Sequence, residues 1–568
     1  MAERSESERH AWAQRPWIMA GVGAAGGLLV HFLTDHLSYY PVPTPETVLR
    51  QAGAAGVAIA TVSFLITADR KRIGWAAAFA VAWGLIMGLV GYSTGAYNRG
   101  GDLVEFPFLS GLLAIAVASP LFQTLRDEGQ RSLPYAQVHR YAWTDAIIGG
   151  ASLAFTGLTF LLAFLLASLF DAIGISLLKD LIDEGWLDWM LAGAAFGAAS
   201  AVLREKDPLL GTLQRLVMLV FSVLAPVLAG ALAIYLVALP ATGFAGLWKS
   251  GLPETPLLLS TAAFAVVFLN AIIGDSPDDR SGGKLWRITE GVLLFAVLLL
   301  GALALVSMGM RVNQYGWTPE RLWGVIACIV AIAYGAAAWL AGIRGRGAFD
   351  VPLRESQKWL AVGLCGLALF LALPIVDFGT ISARSQLARL QAGKVKASEF
   401  DWAAMAFDFG PSGREALKRM SKTSPKGLRE MASSALESDT RFSTAVATET
   451  VEQSQTIDER LRVMPVGSTV TPELRNAIVN SRGCLVATCA VTIVSADEAV
   501  VAGRNFPGGD AIIQNHFVRN AKGDWQMVTG EVGSPDNRAD LATADIEIRT
   551  KTYRQLFVDG KRVGPPFE

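Results

Sequence analysis

Between Trp17 and Asp377 the chain is a succession of apolar runs separated by short polar loops. A membrane-crossing helix needs about 20 consecutive apolar residues, because the hydrocarbon core offers no partner for an exposed peptide group. The runs near 17–36, 51–67, 73–91, 105–124, 145–170, 189–203, 213–238, 256–273, 289–308, 323–343 and 359–377 predict eleven spans. Those at 51–67 and 189–203 are short and rich in Ala and Gly, and losing either would move every later loop to the other side.

Composition separates this part from the remainder. The whole chain is only 17% charged, against about a quarter for soluble proteins. The deficit lies in 17–377, whereas 378–568 reads as a soluble chain long enough to bury its own core. The expected fold class is a polytopic α-helical membrane bundle of about 11 transmembrane helices with a C-terminal soluble α+β domain. Its parts are a cytoplasmic N-terminal tail (1–16), a transmembrane domain (17–377), a helical extramembrane segment (378–440) and a small α+β domain (441–568). Net charge is −1, which implies no nucleic-acid partner. Arg4, Arg9 and Arg15 precede the Trp17–Leu33 stretch, which no small-x-small cleavage site follows, so a retained signal anchor is expected rather than a cleaved leader.

Basic residues set the expected orientation. With the N-terminus inside, the cytoplasmic segments hold Arg4, Arg9, Arg15; Arg70, Lys71, Arg72; Arg126, Arg131, Arg140; Arg204, Lys206, Arg215; Arg280, Lys284, Arg287; and Arg344, Arg346, Arg354, Lys358. The opposite loops hold Arg50, Arg99, Lys179, Lys249, Arg311 and Arg321, so the division is nineteen to six. Lys and Arg stay on the cytoplasmic side during insertion. An odd number of spans then places the tail outside, as a periplasmic domain on a bacterial inner membrane.

Close glycines recur in the spans at Gly23 and Gly27, Gly84 and Gly88, and Gly193 and Gly197. Small residues four apart let helices approach closely in lipid, within one bundle or between copies in a homo-oligomer. After span five, Ile175, Leu178, Ile182 and Trp186 recur at helical spacing with Lys179, Asp180, Asp183 and Glu184 between them, which predicts an amphipathic surface helix over 171–188. It is either a connector with an apolar face or a gating element.

Ionisable residues at membrane depth are costly and therefore functional candidates. His31 and Asp35, four apart at the outer end of span one, are the candidate catalytic pair, as a proton relay or half a metal site, against a simple interfacial pair. Glu290 is expected to pair with Arg287 across one helical turn. Asn270 and Asp377 lie near the interfaces. No second His/Asp/Glu cluster completes a metal site, and no cofactor is implied. Gly274–Lys284 lacks P-loop spacing, and no G-x-S-x-G or H-E-x-x-H is present. Polyprenyl-phosphate-sugar glycosyltransferases share a similar span count and an external domain, but the loop 37–47 here is short and holds Pro41, Pro43 and Pro45.

Three segments carry a family resemblance. They are Tyr315-Gly-Trp-Thr-Pro-Glu-Arg321 within Arg311–Leu322; Pro134-Tyr135 with His139-Arg-Tyr-Ala-Trp143; and Ile381–Lys394 with Phe400-Asp401 and Phe407-Asp-Phe-Gly410. Together they resemble the bacterial multi-pass membrane family known as domain of unknown function 4153, over most of 15–420. The family is named for having no established activity, so it implies no catalytic residue. Read physically, Thr318 is an N-cap, Pro319 the first helical residue and Glu320 a first-turn acid, while Gly316 supplies a turn and Tyr315 and Trp317 suit the aromatic belt. The loop is thus an anchored helix entry or a ligand contact.

In the tail, 381–440 reads as helical with breaks at Gly410–Gly413 and Ser424-Pro425, and 441–480 as helix and linker. Strands are expected at 512–518 and 525–528 about an Asn520–Asp524 turn, and at 546–558 with a turn at Asp559-Gly560, in an antiparallel arrangement. Cys484 and Cys489 can form a disulfide in an oxidising compartment only if a tight turn brings them together. Cys328 and Cys365 lie in apolar runs as packing residues.

Three function classes follow. The first is an envelope sensing, anchoring or partner-binding protein whose external domain meets a periplasmic protein or ligand. The second is a transporter or lipid-handling protein. The third is a transferase using lipid-linked substrates near Asp35, Asp171 and Asp183.

Overall fold

The structure is a computed structural model describing residues 14–35, 44–95, 105–128, 133–205, 207–243, 253–277, 280, 282–345, 348–481, 484, 488–504, 512–532, 541–544, 546–548, 554–558 and 561–567. The chain divides into two compact units, 1–396 with 404–416, and 397–403 with 417–568.

The first unit is helical. In chain order its helices are α1 (Arg15–Thr34), α2 (Pro45–Thr67), α3 (Ile73–Gly95), α4 (Glu105–Glu128), α5 (Tyr135–Asp171), α6 (Leu177–Asp183), α7 (Trp186–Glu205), α8 (Asp207–Thr242), α9 (Glu254–Ile273), α10 (Lys284–Tyr315), α11 (Pro319–Gly345), α12 (Asp350–Ala372) and α13 (Phe378–Gln391). Among the described residues, ten of them (α1 to α5 and α7 to α11) are long and apolar enough to cross a membrane. The short runs at 51–67 and 189–203 belong to α2 and α7, of 23 and 20 residues, so both are long enough to cross. Local chemistry explains the extension of α2: Thr44 and Thr47 form a reciprocal capping box, and Pro45 occupies the first turn. The remainder of the proline loop, 36–43, lies outside the described residues.

The expected eleventh span, 359–377, corresponds to α12. That helix begins at Asp350 and stops at Ala372, and its first turns carry Asp350, Arg354, Glu355 and Lys358. Asp377 is instead the N-cap of α13, its carboxylate accepting from the Thr380 amide at 3.0 Å.

Neighbouring helices are set by residue size. In α1 and α7, a Cβ on Gly23 would collide with the Gly193 carbonyl, and one on Gly27 with the Trp189 carbonyl; Gly197 likewise meets the Met19 carbonyl. Gly84 similarly lies against the Gly56 carbonyl, on α3 and α2. The glycine pairs seen in the sequence therefore serve packing within this bundle. Leu293, Ala296, Val297 and Leu300 of α10 form the core with α8, α9, α11 and α12. Outward faces are apolar: Leu158, Leu161 and Leu165 of α5 are each over 60% exposed, as expected of a surface covered by lipid.

The predicted helix over 171–188 is broken up. Only Leu177–Asp183 forms α6, with Asp171 ending α5 and Trp186 opening α7. Gly174 (φ 84°) and Gly185 (φ 75°) adopt left-handed backbone that stops a helix on each side. Ile182 is buried, but Ile175 is exposed.

A π-helical turn over Ala404–Asp408 precedes α14 (Gly410–Thr423), then α15 (Lys426–Glu437) and α16 (Arg441–Arg460). The Ser424-Pro425 break falls as predicted, whereas Gly410–Gly413 form the first turn of α14 and the break precedes them at Phe409. The second unit continues with β1 (Leu461–Met464), α17 (Pro472–Asn480), β2 (Cys489–Ser495), β3 (Glu498–Gly503), β4 (Ile513–Arg519), β5 (Trp525–Val532), β6 (Arg554–Val558) and β7 (Lys561–Phe567). The main sheet has order β1-β2-β3-β4-β5, and β6 pairs with β7 separately. The β4–β5 hairpin turns at Asn520, whose side chain accepts from the amides of Lys522 and Asp524. The sheet departs from the fully antiparallel expectation: β1 pairs in parallel with β2 through the α17 crossover. The polar segment around Arg462 conceals β1 because it is only four residues long. The Asp559-Gly560 turn lies outside the described residues. Ile457, Ile478, Val491, Val501 and Phe517 form the core of this unit.

Candidate functional sites

His31 and Asp35 face each other along α1, with Nε2 and Oδ1 3.7 Å apart. The imidazole is mostly buried and abuts Gly185, whose backbone opens α7. Among the described residues, no three His, Cys, Asp or Glu side chains are grouped to hold a metal ion. At 3.7 Å the two groups are in ion-pair range and too far apart for a hydrogen bond.

The Tyr315 loop joins α10 to α11 and is clasped by α13. Gln386 donates to the carbonyls of Tyr315 (3.0 Å) and Trp317 (2.9 Å), and Arg389 to those of Asn313 (3.4 Å) and Gln314 (2.5 Å). The Trp317 amide donates to Ser385 Oγ at 3.1 Å. Arg321 donates to the Gly316 carbonyl at 2.6 Å and lies 5.4 Å from the centre of the Tyr315 ring. Thr318 Oγ1 accepts from the Arg321 amide at 3.4 Å, Pro319 is the first residue of α11 and Glu320 lies in its first turn. Gly316 has φ 79° and ends α10. These contacts satisfy the last carbonyls of α10, which a helix cannot satisfy itself.

Sequence reading missed two charged networks, both on the side it assigns to the cytoplasm. In the first, Arg280 donates to Glu290 (3.1 and 2.6 Å) and to Asp350 (2.9 Å). Arg354 donates to Asp350 (2.7 Å) and to the carbonyls of Ile273 (2.8 Å) and Ser276 (2.8 Å). Glu290 is fully buried, and its partner is Arg280 rather than the expected Arg287, whose side chain is exposed. Its hydrogen bonds to Glu290 hold the Arg280 guanidinium above the usual arginine range. In the second network, Asp145 of α5 accepts from Ser119 (2.7 Å), Gln123 (2.6 Å) and Arg204 (3.2 Å). The signals were Asp350 and Arg354 four apart, and Asp145 at the first turn of an expected span. Their partners come from other helices, so spacing alone could not find them. Every acid here meets a cation or donors, which is how buried charge is tolerated.

In the second unit, residues 397–403 and helices α15 and α16 enclose a cavity of about 380 Å³, lined by Asp401, Trp402, Phe400, Met431, Thr448 and Glu449 among others. Trp402 is fixed by its indole N–H, which donates to the Ala397 carbonyl at 2.9 Å, and by an edge contact with Phe400 at 4.8 Å. Asp401 pairs at its rim with Arg441 at 3.1 Å. Apart from Phe400-Asp401, noted for the family resemblance, nothing in the sequence marked this cavity, because its walls come from three separate segments, 397–403, Met431 and 445–449. Cys484 and Cys489 are bonded in the structure, with Cα atoms 5.8 Å apart, and both are buried. Cys328 and Cys365 are free thiols on α11 and α12.

The sequence candidates are thus dispersed over the molecule. His31 adjoins the start of α7, the Tyr315 loop belongs to the α10–α11–α13 junction, and the cysteines lie in the second unit. No curated protein and no solved structure matches the chain. One protein family matches residues 54–420, well over half of the chain. With its apolar helices and the Tyr315 loop inside that span, the chain is an integral membrane protein belonging to the family described as Domain of unknown function (DUF4153).

Proposed function

We propose that this is an envelope protein of the bacterial inner membrane, whose helical unit anchors a C-terminal binding unit outside the cytoplasm. The observation that carries this reading is the cavity between residues 397–403, α15 and α16. Its volume of about 380 Å³ lies in the range of small-ligand sites. Asp401, Glu449 and Thr448 over an aromatic floor suit a small ligand carrying a cationic or hydroxyl group. The nineteen-to-six basic bias supports a cytoplasmic N-terminus, and the external placement takes α12 as an eleventh crossing beside the ten long apolar helices. The Cys484–Cys489 bond supports it separately, because such bonds persist in oxidising compartments.

Two measurements test it. Protease added to intact spheroplasts should remove the final unit without lysis. A thermal-shift screen of the full-length protein in detergent, using small amines and polyols, should give hits that Glu449→Gln weakens. A protected tail would overturn the external placement, and hits indifferent to Glu449→Gln would overturn the cavity as the site.

A further inference from the structure

A second cavity, also about 380 Å³, lies in the membrane unit between the last turns of α5 and the short α6. Phe164, Ala167 and Ile182 supply apolar wall. The polar lining is Ser168, Asp171, Lys179 and Asp183. Lys179 Nζ meets Asp171 Oδ2 at 2.9 Å, yet its side chain remains 53% exposed, so the ammonium is accessible. Asp183 has no hydrogen-bond or ion-pair partner among the described residues, and the Ser168 hydroxyl has no hydrogen-bond partner among them either. The lining therefore holds one ammonium and two carboxylates, a net charge of −1 (+1 − 2).

The flank of α5 that leads into this cavity is apolar and uncovered. Leu158, Leu161, Leu162, Leu165 and Leu169 are each more than half exposed. In a bilayer that flank is coated by acyl chains, which delivers lipid headgroups to the level of Asp171 and α6.

We propose that this cavity binds the headgroup of an aminophospholipid. Lys179 and Ser168 take the phosphate, Asp183 accepts hydrogen bonds from the primary ammonium, and the acyl chains run along the leucine flank of α5. The chemistry separates the lipid classes. An anionic headgroup without an amine meets a net negative lining. A quaternary ammonium has no N–H for Asp183, and is held instead by cages of several aromatic rings, whereas among the described residues the wall here contains Phe164 alone. One charge-assisted hydrogen bond gained or lost changes affinity about tenfold or more, which sets the preference for the primary amine.

Native mass spectrometry of the full-length protein, released from nanodiscs holding equal phosphatidylethanolamine, phosphatidylcholine and phosphatidylglycerol, tests this. The wild type should retain phosphatidylethanolamine about tenfold over the other two. Asp183→Asn should abolish that preference, Asp183→Glu should keep it, and the distant Lys426→Gln should leave it unchanged, each variant being checked for an unaltered melting temperature. Equal retention of the three lipids, or an undiminished preference in Asp183→Asn, would overturn the proposal. Soluble glycerophosphoethanolamine should fail to displace the lipid, since the α5 flank contributes to holding it. Displacement would show a solute site in place of a lipid site.

Discussion

Arg354 Nη2 donates to the carbonyl oxygen of Ile273, the last residue of α9, at 2.8 Å. The arrangement recurs. Arg15 donates to Ala68 (2.9 Å) and Arg126 to Thr67 (2.5 Å) at the end of α2, and Arg389 holds the end of α10. Helix C-termini leave four carbonyls unbonded and carry partial negative charge, so a guanidinium there satisfies both. Three of these arginines (Arg15, Arg126 and Arg354) belong to the cationic loops that indicated orientation in the sequence.

Arg354→Met should therefore destabilise the membrane unit by about 1–3 kcal/mol, since it leaves the α9 carbonyls unsatisfied and the buried Asp350 held by Arg280 alone. Unfolding in mixed detergent would measure it. Arg280, held above the usual arginine range, stabilises fully below its unfolded-state value and loses that only as pH rises through the higher folded one. Stability should accordingly show no Arg280 titration anywhere in the neutral range.

The α1–α7 contact predicts a sharp contrast between glycines. Gly193→Leu drives a side chain into the Gly23 carbonyl and should cost about 3 kcal/mol or more, seen as a lowered melting temperature or failed accumulation. Gly150→Ala, with nothing within 4 Å of the added carbon, should match or slightly exceed the wild type.

Replacing both Cys484 and Cys489 with Ser removes a constraint on a short loop, worth about 2 kcal/mol in chain entropy, from the second unit alone. Thiol labelling of the denatured, unreduced protein should modify two cysteines, Cys328 and Cys365, and label four only after reduction. Four labelled without reduction would remove one support for the external placement.

At the Tyr315 loop, Gly316→Val should cost at least about 1–2 kcal/mol because its φ of 79° is left-handed. Arg389→Ala should raise hydrogen exchange across 313–317, with little effect in the second unit. Unchanged exchange there would show that the α13 clasp is dispensable.

How much of this was legible beforehand follows from interaction range. The helices, their order, the Pro425 break and the Asn520 turn are local, set by apolar run length and backbone chemistry within a few residues. The α6 boundary was misjudged because side-chain periodicity outweighed Gly174 and Gly185, whose backbone freedom decided it. Strand β1 was hidden because four residues carry no period, and its partner lies across the α17 crossover.

The sequence alone determined that the first part of the chain belongs in lipid, since no other solvent accepts so much apolar surface, and it determined where α11 begins through Thr318 and Pro319. Only the tertiary structure decided which charges meet. Arg280 finds Glu290 ten residues away and Asp350 seventy residues away, and Asp145 finds Arg204 across 59 residues. Nothing in spacing specifies such pairs, because they are chosen by helix packing, which rests on glycines whose partners lie on other helices.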